Sequence, residues 1–286
     1  MLINQTREKL EQLKFKGMLQ AFDEQISLPE VKDLTFEQRL GLLIDREIIE
    51  RQNRRLKTRL RQAKLRENAA IEDIDFQSSR GLDKAVILSL AQCEWINRNQ
   101  NIIITGPTGV GKTYLACALA QKACRQGYKA IYQRLPRLFE QLAMAKGDGL
   151  YAKLLDKTAK SDLIILDDWG LSVLTESQRK DLLELIEDRY SLRSTIIATQ
   201  LPITKWHEVI NDQTIADAIL DRLVHNAYKI NMKGGSMRKK LNKVPLHDRI
   251  KSRRFAPARG WDFPPESVGT FPPEWVGTLS GIRKMV

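Results

Sequence analysis

Hydrophobic residues in the first seventy positions recur every three or four residues, the spacing of an amphipathic helix. Between residues 34 and 65 they include Leu43, Ile44 and Ile48, and neither glycine nor proline occurs after position 42 of this segment. The pattern predicts that residues 1–70 are helical, with Leu43, Ile44 and Ile48 packing inward. A similar periodicity predicts another helix from about residue 82 to residue 96.

From residue 101 onward, short and continuously apolar segments alternate with helical patterns. The predicted strands lie at 101–105, 130–132, 163–166, 194–198 and 229–232. Buried strands that alternate with helices are typical of a parallel sheet covered on both faces. The sequence therefore predicts an α/β fold preceded by a small, all-helical N-terminal region.

Charge is distributed unevenly along the 286 residues, whose net charge is +12. Residues 51–66 hold eight lysines and arginines and no acid, and residues 229–254 hold ten against one acid. Such dense basic segments favour a nucleic-acid partner, although two solvated faces are the simpler alternative. The candidate contacts in the first segment are Arg51, Arg54, Arg55, Lys57, Arg59, Arg61 and Lys64.

Several classes of protein are excluded by what the chain lacks. No apolar run reaches the 18 residues of a membrane span, and the N-terminus does not resemble a secretory signal. Cys93, Cys117 and Cys124 form no CxxC pair, which argues against structural zinc and a disulfide framework. Cys117 and Cys124 are seven positions apart, on one helical face, and are predicted to fill the core. A reducing cytoplasm fits this composition.

A glycine-rich segment between a predicted strand and a predicted helix is the candidate phosphate-binding site. It satisfies GxxxxGK[ST], the pattern of a loop whose backbone amides surround phosphate oxygens. Its lysine is expected to reach the β- and γ-phosphates, and its threonine hydroxyl to ligate Mg²⁺. The predicted nucleotide-binding residues are Gly106, Pro107, Thr108, Gly109, Val110, Gly111, Lys112, Thr113 and Tyr114.

Two acids follow the apolar strand at 163–166, fifty-five residues after the lysine. On a central strand, Asp167 would lie beside the loop and hold Mg²⁺ with Thr113. Asp168 would orient or deprotonate the attacking water. A strand that merely stops at a polar turn is the alternative. GTP is less favoured than ATP, because the nearest match to a guanine-reading NKxD element, at 242–245, lacks the acid.

These motifs together resemble the IstB-like insertion-sequence ATP-binding proteins, which are AAA+ ATPases related to helicase loaders and replication initiators. The resemblance spans roughly residues 5–243. Its most specific parts are the ATQLP segment at 198–202 and the LDRLVHNA segment at 220–227. It implies a P-loop AAA+ module at 71–243, preceded by a helical DNA- or partner-binding domain at 1–70. A proline-rich tail at 244–286, with a tandem eight-residue duplication, is expected to be disordered.

The resemblance also implies roles for single residues. Gln200 matches sensor 1, which contacts the γ-phosphate or the attacking water. Arg222 matches the arginine finger offered to a neighbouring subunit, and Arg238 matches sensor 2. The chain departs from the usual Gly-Glu-Ser before sensor 2, since it has Gly-Gly-Ser at 234–236. By analogy with initiators, Lys146 and Lys153 are further candidates for DNA contact.

The resulting hypothesis is an ATPase with Mg²⁺ that forms a homo-oligomer on duplex DNA and assists a partner transposase. A helicase loader acting on single-stranded DNA is the alternative, and a nucleotide-dependent scaffold without hydrolysis is a third possibility. Aromatic residues that stack on unpaired bases are scarce in the basic segments, which favours duplex DNA.

Overall fold

Three helices begin the chain in the computed structural model, which describes residues 2–28, 31, 33–76 and 80–237. They are α1 (Leu2–Gln12), α2 (Lys16–Ser27) and α3 (Phe36–Ala63). Thr35 begins α3 through a capping box, because its hydroxyl accepts the Gln38 amide while the Gln38 side chain accepts the Thr35 amide. The predicted helical region is thus divided into three elements.

A buried carboxylate joins α2 to α3. Glu47 is 5% exposed, and its Oε2 accepts the amides of Gly17 at 2.8 Å and Met18 at 3.2 Å. Its Oε1 accepts from Arg51 Nε at 2.7 Å. A Cβ on Gly17 would lie 2.5 Å from the Arg46 carbonyl oxygen, so only glycine permits this close approach.

The prediction that Ile44 and Ile48 pack inward is wrong. Their exposed fractions are 45% and 48%, whereas Leu43 is half-buried. Because α2 packs on the face of α3 that carries Glu47, this part of α3 turns both isoleucines to the surface. Periodicity identified the helix, but it did not indicate which face meets another element.

The segment before the sheet contains a 3₁₀ helix (Ile71–Asp73) followed by α4 (Lys84–Leu90) and α5 (Glu94–Asn97). The single helix predicted from residue 82 to residue 96 is therefore wrong. Cys93 interrupts it with a φ of +61°, a left-handed conformation that no α-helix continues through.

The sheet contains five parallel strands in the order β2-β3-β4-β1-β5. The strands are β1 (Asn101–Thr105), β2 (Ala130–Arg134), β3 (Leu163–Trp169), β4 (Ser194–Thr199) and β5 (Ala227–Asn231). The intervening helices are α6 (Lys112–Arg125), α7 (Leu135–Gly147), α8 (Tyr151–Ala159), α9 (Glu176–Arg189), α10 (Trp206–Ile210) and α11 (Gln213–Val224); a 3₁₀ helix (Ile203–Lys205) precedes α10. The predicted parallel α/β sheet is confirmed.

Successive residues of the central strands enter two different cores. Ile102 and Ile104 belong to a cluster with α6, whereas Ile103 belongs to a second cluster with α7, α9 and α11. Burial on both faces explains why the strands are continuously apolar. Cys117 and Cys124 are fully buried in the first cluster, as predicted.

None of the helices in the described part of the chain is long and apolar enough to cross a membrane. The predicted domain limits at residues 70 and 243 stay predictions. The proline-rich tail at 244–286 lies outside the described residues.

Candidate functional site

The phosphate loop connects the end of β1 to the start of α6. Gly106, Gly109 and Gly111 have φ angles of +150°, +81° and +106°, which favour glycine. A Cβ on Gly106 would lie 2.4 Å from the Met232 carbonyl oxygen, and one on Gly109 would lie 2.4 Å from the Ser236 hydroxyl oxygen. The glycines therefore also allow the segment after β5 to approach the loop.

The start of α6 presents backbone donors. Leu115 donates the first helical hydrogen bond, to the Gly111 carbonyl at 2.9 Å, so the amides from Lys112 to Tyr114 precede the helical pattern. No side chain caps this end of α6. Together with the positive end of the helix dipole, these amides form an anion-binding site that fits a nucleotide phosphate.

Lys112 is held within the loop. Its Nζ donates to the carbonyl oxygens of Gly106 at 2.8 Å and Pro107 at 2.9 Å. Burial lowers the pKa of the ammonium, an effect that the charges of Asp167 and Asp168 oppose. Both acceptors are neutral, so phosphate oxygens can replace them with stronger, charge-assisted bonds.

Asp167 brings the two sequence motifs into contact. Its Oδ2 accepts from the Thr113 hydroxyl at 2.8 Å and from the Tyr132 hydroxyl at 2.7 Å. Burial raises the pKa of Tyr132, and so does the bond to Asp167, which keeps the phenol protonated as a donor. Because hydroxyl and carboxylate oxygens suit a hard cation, Thr113 and Asp167 could hold Mg²⁺.

Asp168 differs from its neighbour in conformation and exposure. It has a φ of +60° and interrupts the pairing of β3 with β4, which shifts register between Asp167 and Trp169. Its side chain is 22% exposed, and Oδ2 accepts from Arg134 Nε at 2.5 Å. The bulge thus gives the second acid a route to solvent that the first acid lacks.

Gln200 follows β4, the strand beside the acid-bearing one. Its Oε1 accepts from the Thr108 hydroxyl at 2.6 Å. The loop, both acids and Gln200 therefore lie together at the carboxyl edge of the sheet, where open α/β folds bind ligands.

Arg222 lies at the opposite edge of the sheet. Its guanidinium donates to Glu187 Oε1 at 2.7 Å and to the Ala218 carbonyl at 2.8 Å. Its own carbonyl accepts from Asn101, the first residue of β1, whereas the phosphate loop follows the last residue of that strand. Five strand residues span roughly 13 Å, so Arg222 is remote from the pocket of its own chain.

Arg238 lies outside the described residues. The residue before it, Met237, donates its amide to the Gly109 carbonyl at 2.9 Å. The described chain therefore ends against the phosphate loop.

A family comparison identifies the chain. The family model described as "IstB-like ATP binding protein" matches residues 8–244. The chain belongs to this family. The resemblance predicted from the motifs is confirmed.

Relatives support the assignment over most of the IstB-like chain. The Sinorhizobium fredii protein y4pL, whose name describes an insertion sequence ATP-binding protein, is 52% identical over 239 residues, or 84% of this chain and 98% of that protein. A similarly named protein of insertion sequence IS1162 in Pseudomonas fluorescens is 50% identical over 203 residues, covering 71% of this chain and 88% of that relative.

Solved structures show the fold. The crystal structure of DnaI matches with a TM-score of 0.51 and 20% identity, covering 58% of this chain and 91% of that one. AMPPCP-bound DnaA from Aquifex aeolicus matches with a TM-score of 0.50 and 18% identity, covering 68% of this chain and 59% of that one. The IstB-like chain therefore has the predicted AAA+ P-loop fold.

The basic residues of α3 do not share one environment. Arg51 and Arg54 pair with Glu47 and Glu50 on the same helix, and Arg59 donates to the Cys124 carbonyl at 2.9 Å. The remaining predicted contacts of this IstB-like segment, Arg55, Lys57, Arg61 and Lys64, are exposed.

The two predicted lysines after β2 also differ. Lys146 is bound to Asp181 Oδ1 at 2.6 Å and to the Ser177 hydroxyl at 2.9 Å, whereas Lys153 is exposed on α8.

Sequence reasoning missed Tyr132 and Arg134 as site residues. They are two positions apart on β2, which pairs with β3, and Arg134 lies in register with Asp167. Arg66, noted only as part of the basic run, has its Nη1 3.9 Å from Asp167 Oδ2. The signal was present in the polar end of the β2 segment, but it required knowing which strand lies beside the acids.

Proposed function

We propose that this IstB-like protein is an ATP-dependent, DNA-binding ATPase that assembles on duplex DNA and assists a partner transposase. The observation that carries the proposal is the contact of Thr113 with Asp167 beside Lys112. It joins the glycine-rich loop and an acid suited to ligating a metal ion in one pocket. The AAA+ fold and the family assignment support ATP as the nucleotide.

Five polar residues of the pocket have a role in the proposed hydrolysis. Lys112 exchanges its carbonyl acceptors for phosphate oxygens. Thr113 and Asp167 would hold Mg²⁺, which would supply positive charge to offset that of the phosphates. Asp168 accepts the proton of the attacking water, while Gln200 positions that water or the γ-phosphate. Freeing Asp168 for this role requires Arg134 to move.

Assembly is proposed to depend on Arg222. Its distance from the pocket in its own chain and its place at the other edge of the sheet favour action on a neighbouring subunit. The present partner, Glu187, is 50% exposed and can be exchanged for a phosphate. An arginine supplied in this way stabilises the charge that develops during phosphoryl transfer.

DNA binding is proposed to rest on phosphate contacts. The exposed cations of α3 provide a sequence-independent electrostatic attraction, which weakens as salt increases. The described site contains no second set of catalytic side chains that we can assign to DNA strand transfer. The names of the relatives place them in insertion sequences, which supports a transposase as the partner that uses the assembly.

The deciding experiment measures binding to duplex and single-stranded DNA by wild type and Lys112→Ala, each with and without ATP and Mg²⁺. We expect ATP to strengthen duplex binding and to increase the mass of the wild-type complex, but not that of the variant. Lys180→Ala, a surface substitution, is the control. Equal affinity under all conditions would refute ATP-dependent assembly, and preference for single strands would favour a helicase loader.

A further inference from the structure

Arg80 is a buried arginine beside the phosphate loop. It is 7% exposed, and its Nη1 lies 3.4 Å from the position that a Cβ on Gly111 would take. Nη2 donates to the carbonyl oxygen of Asp75, which is a neutral acceptor. Nε is buried and has no hydrogen-bond partner among the described residues. A charged side chain therefore lies next to the residue that precedes Lys112, with a donor that the described chain does not use.

The segment after β5 holds Arg80 in this place. The Arg80 carbonyl accepts the amide of Lys233, two residues after the end of β5, at 2.8 Å. The Cε of Met232 lies 3.8 Å from the same Cβ position at Gly111. The charge of Arg80 also acts on Tyr114, where it opposes the rise in the pKa of the phenol that burial causes. The guanidinium thus faces the start of α6 from the β5 side of the loop.

The order of the strands determines which part of a nucleotide Arg80 can meet. From β1, the sheet continues to β4 and β3 on one side and to β5 on the other. Gln200 follows β4, and Asp167 and Asp168 lie on β3, so the residues proposed to act at the γ-phosphate are all on the first side. Arg80 is on the second side. Because the phosphates of a nucleotide form a chain, we expect the α-phosphate and the nucleoside on the side of Arg80.

The chemistry of Arg80 favours the α-phosphate over the base or the ribose. Removing a guanidinium from water is costly unless acceptors satisfy its hydrogen-bond donors and its charge. A phosphate oxygen is charged, and it forms shorter and stronger hydrogen bonds with guanidinium than the neutral acceptors of a base or a sugar do. The unused donor and the neutral partner of Arg80 are therefore best matched by a phosphate.

We propose that Arg80 binds the α-phosphate of the nucleotide, as a binding residue outside the glycine-rich loop and the acid-bearing strand. The inference rests on the proposed function, which places a nucleotide at the loop, and it adds a contact to the nucleoside half. Nη1 is the donor beside the loop, and Nε can turn toward the same phosphate without giving up a described hydrogen bond. Since ATP and ADP share the α-phosphate, Arg80 strengthens the binding of both by the same factor.

Arg80→Met tests the contact, because methionine fills much of the same space and donates no hydrogen bond. We expect the Kd for ATP and the Kd for ADP to rise by the same factor, about tenfold or more, as for other hydrogen bonds to charged groups. The Kd for GTP should rise by that factor too, because the α-phosphate does not depend on the base. Titration calorimetry measures all three. In hydrolysis, the change should appear in KM for ATP more than in kcat.

Arg179→Met is the matched control. Arg179 also donates Nη1 to a carbonyl, that of Leu174 at 2.9 Å, and its buried Nε has no partner among the described residues. Its other described acceptor is the Ile210 carbonyl, so its hydrogen bonds do not involve the phosphate loop. We expect this variant to bind ATP and ADP as wild type does. Loss of a partly satisfied arginine would then not account for the effect at Arg80.

Arg80→Lys is the conservative variant. It keeps a cation at this position without the planar fork, so it should lose part of the affinity, again by one factor for ATP and ADP. Circular dichroism shows which variants are folded. If Arg80→Met does not fold, Arg80→Lys provides the comparison of nucleotides.

The outcomes separate this inference from the proposed function. If wild type binds no nucleotide, the proposed function fails and this inference fails with it. If wild type binds ATP and a folded Arg80 variant has wild-type affinity, only the assignment of Arg80 is overturned. A loss confined to ATP would place Arg80 at the γ-phosphate, and a loss that differs between ATP and GTP would place it at the base. Either result would overturn the α-phosphate contact.

Discussion

The parallel sheet has buried or half-buried cations at both ends of its strands, which we call the carboxyl edge and the amino edge. The hydrogen-bond partners of these cations differ in kind. At the carboxyl edge, the Lys112 ammonium has two loop carbonyls as partners. At the amino edge, Arg189 is 1% exposed and donates to the carbonyls of Thr158, Ala159, Ser161 and Ser194. The first cation is free to exchange its partners, whereas the second is saturated.

The difference separates a cation that we propose to bind a ligand from a structural one. Burial lowers the pKa of both groups, so burial alone does not distinguish them. The deciding feature is whether the groups that accept hydrogen bonds from the cation also link separate parts of the fold. The acceptors of Arg189 tie together α8, the turn before β3, and β4, while Arg222, also at the amino edge, has one replaceable carboxylate partner.

The largest effect is expected for Arg222→Ala. At concentrations where wild type assembles, the rate of ATP hydrolysis should fall about 10³-fold or more, because the arginine that joins the subunits and stabilises the transferring phosphoryl group is lost. ATP affinity of the single chain should match wild type. Phosphate release and nucleotide titration measure the two quantities.

Mixing variants shows which chain the arginine serves. Arg222→Ala retains an intact pocket and Lys112→Ala retains an intact arginine, so co-assembled chains should recover hydrolysis. Arg193→Ala, an exposed arginine at the same edge, is the matched control. A co-assembled mixture that stays inactive would contradict action on the neighbour.

A second effect is expected at the carboxyl edge. Asp168→Asn should lower hydrolysis about 10²- to 10⁴-fold, because the amide cannot accept a proton from water. ATP binding should persist, since Asp167 and Thr113 remain. Rapid-quench and equilibrium binding measurements separate the two steps.

Asp162→Asn is the control from the amino end of the same strand. Asp162 Oδ2 accepts the Lys129 amide at 2.8 Å, and an asparagine oxygen preserves that bond. If Asp168→Asn hydrolyses ATP at the wild-type rate, Asp168 is not the general base, and neither acid of the described site has that role.

The carboxyl edge was largely predictable because its motifs are local. The glycine spacing predicts the loop, and an apolar segment followed by two acids predicts a buried strand that delivers Asp167 to the site. The residues that surround these acids come from β2, whose neighbour in the sheet is set by long-range packing. Sequence spacing therefore identified Asp167 and Asp168 but not Tyr132 or Arg134.

The helical region shows what sequence periodicity alone does not predict. The period of α3 was correct, but Ile44 and Ile48 face outward because the partner helix meets α3 at Gly17 and Glu47. Arg189 was also missed, since nothing in a helical pattern distinguishes a buried arginine from a surface one. Only the carbonyls that converge on it from α8, the following turn and β4 reveal its role.

The smallest effect concerns that arginine. Arg189→Met preserves much of the side-chain volume but removes every donor, so several buried carbonyls lose their partners. The free energy of unfolding should fall by about 3 kcal/mol, within the usual range for unsatisfied buried polar groups. Urea unfolding of the isolated protein measures it, and Arg193→Met at an exposed site should change stability by less than about 0.5 kcal/mol.

The comparison of the edges predicts what Arg189→Met leaves intact. Because Arg189 contacts no residue of the phosphate loop, the folded fraction should bind ATP as wild type does at low temperature. If Arg189→Met leaves the unfolding midpoint unchanged but weakens ATP binding, the assignment is reversed. The cation that responds to ligand would then be the one at the amino edge. The same pair of measurements on Lys112→Ala should give the opposite result, with little loss of stability and loss of ATP binding.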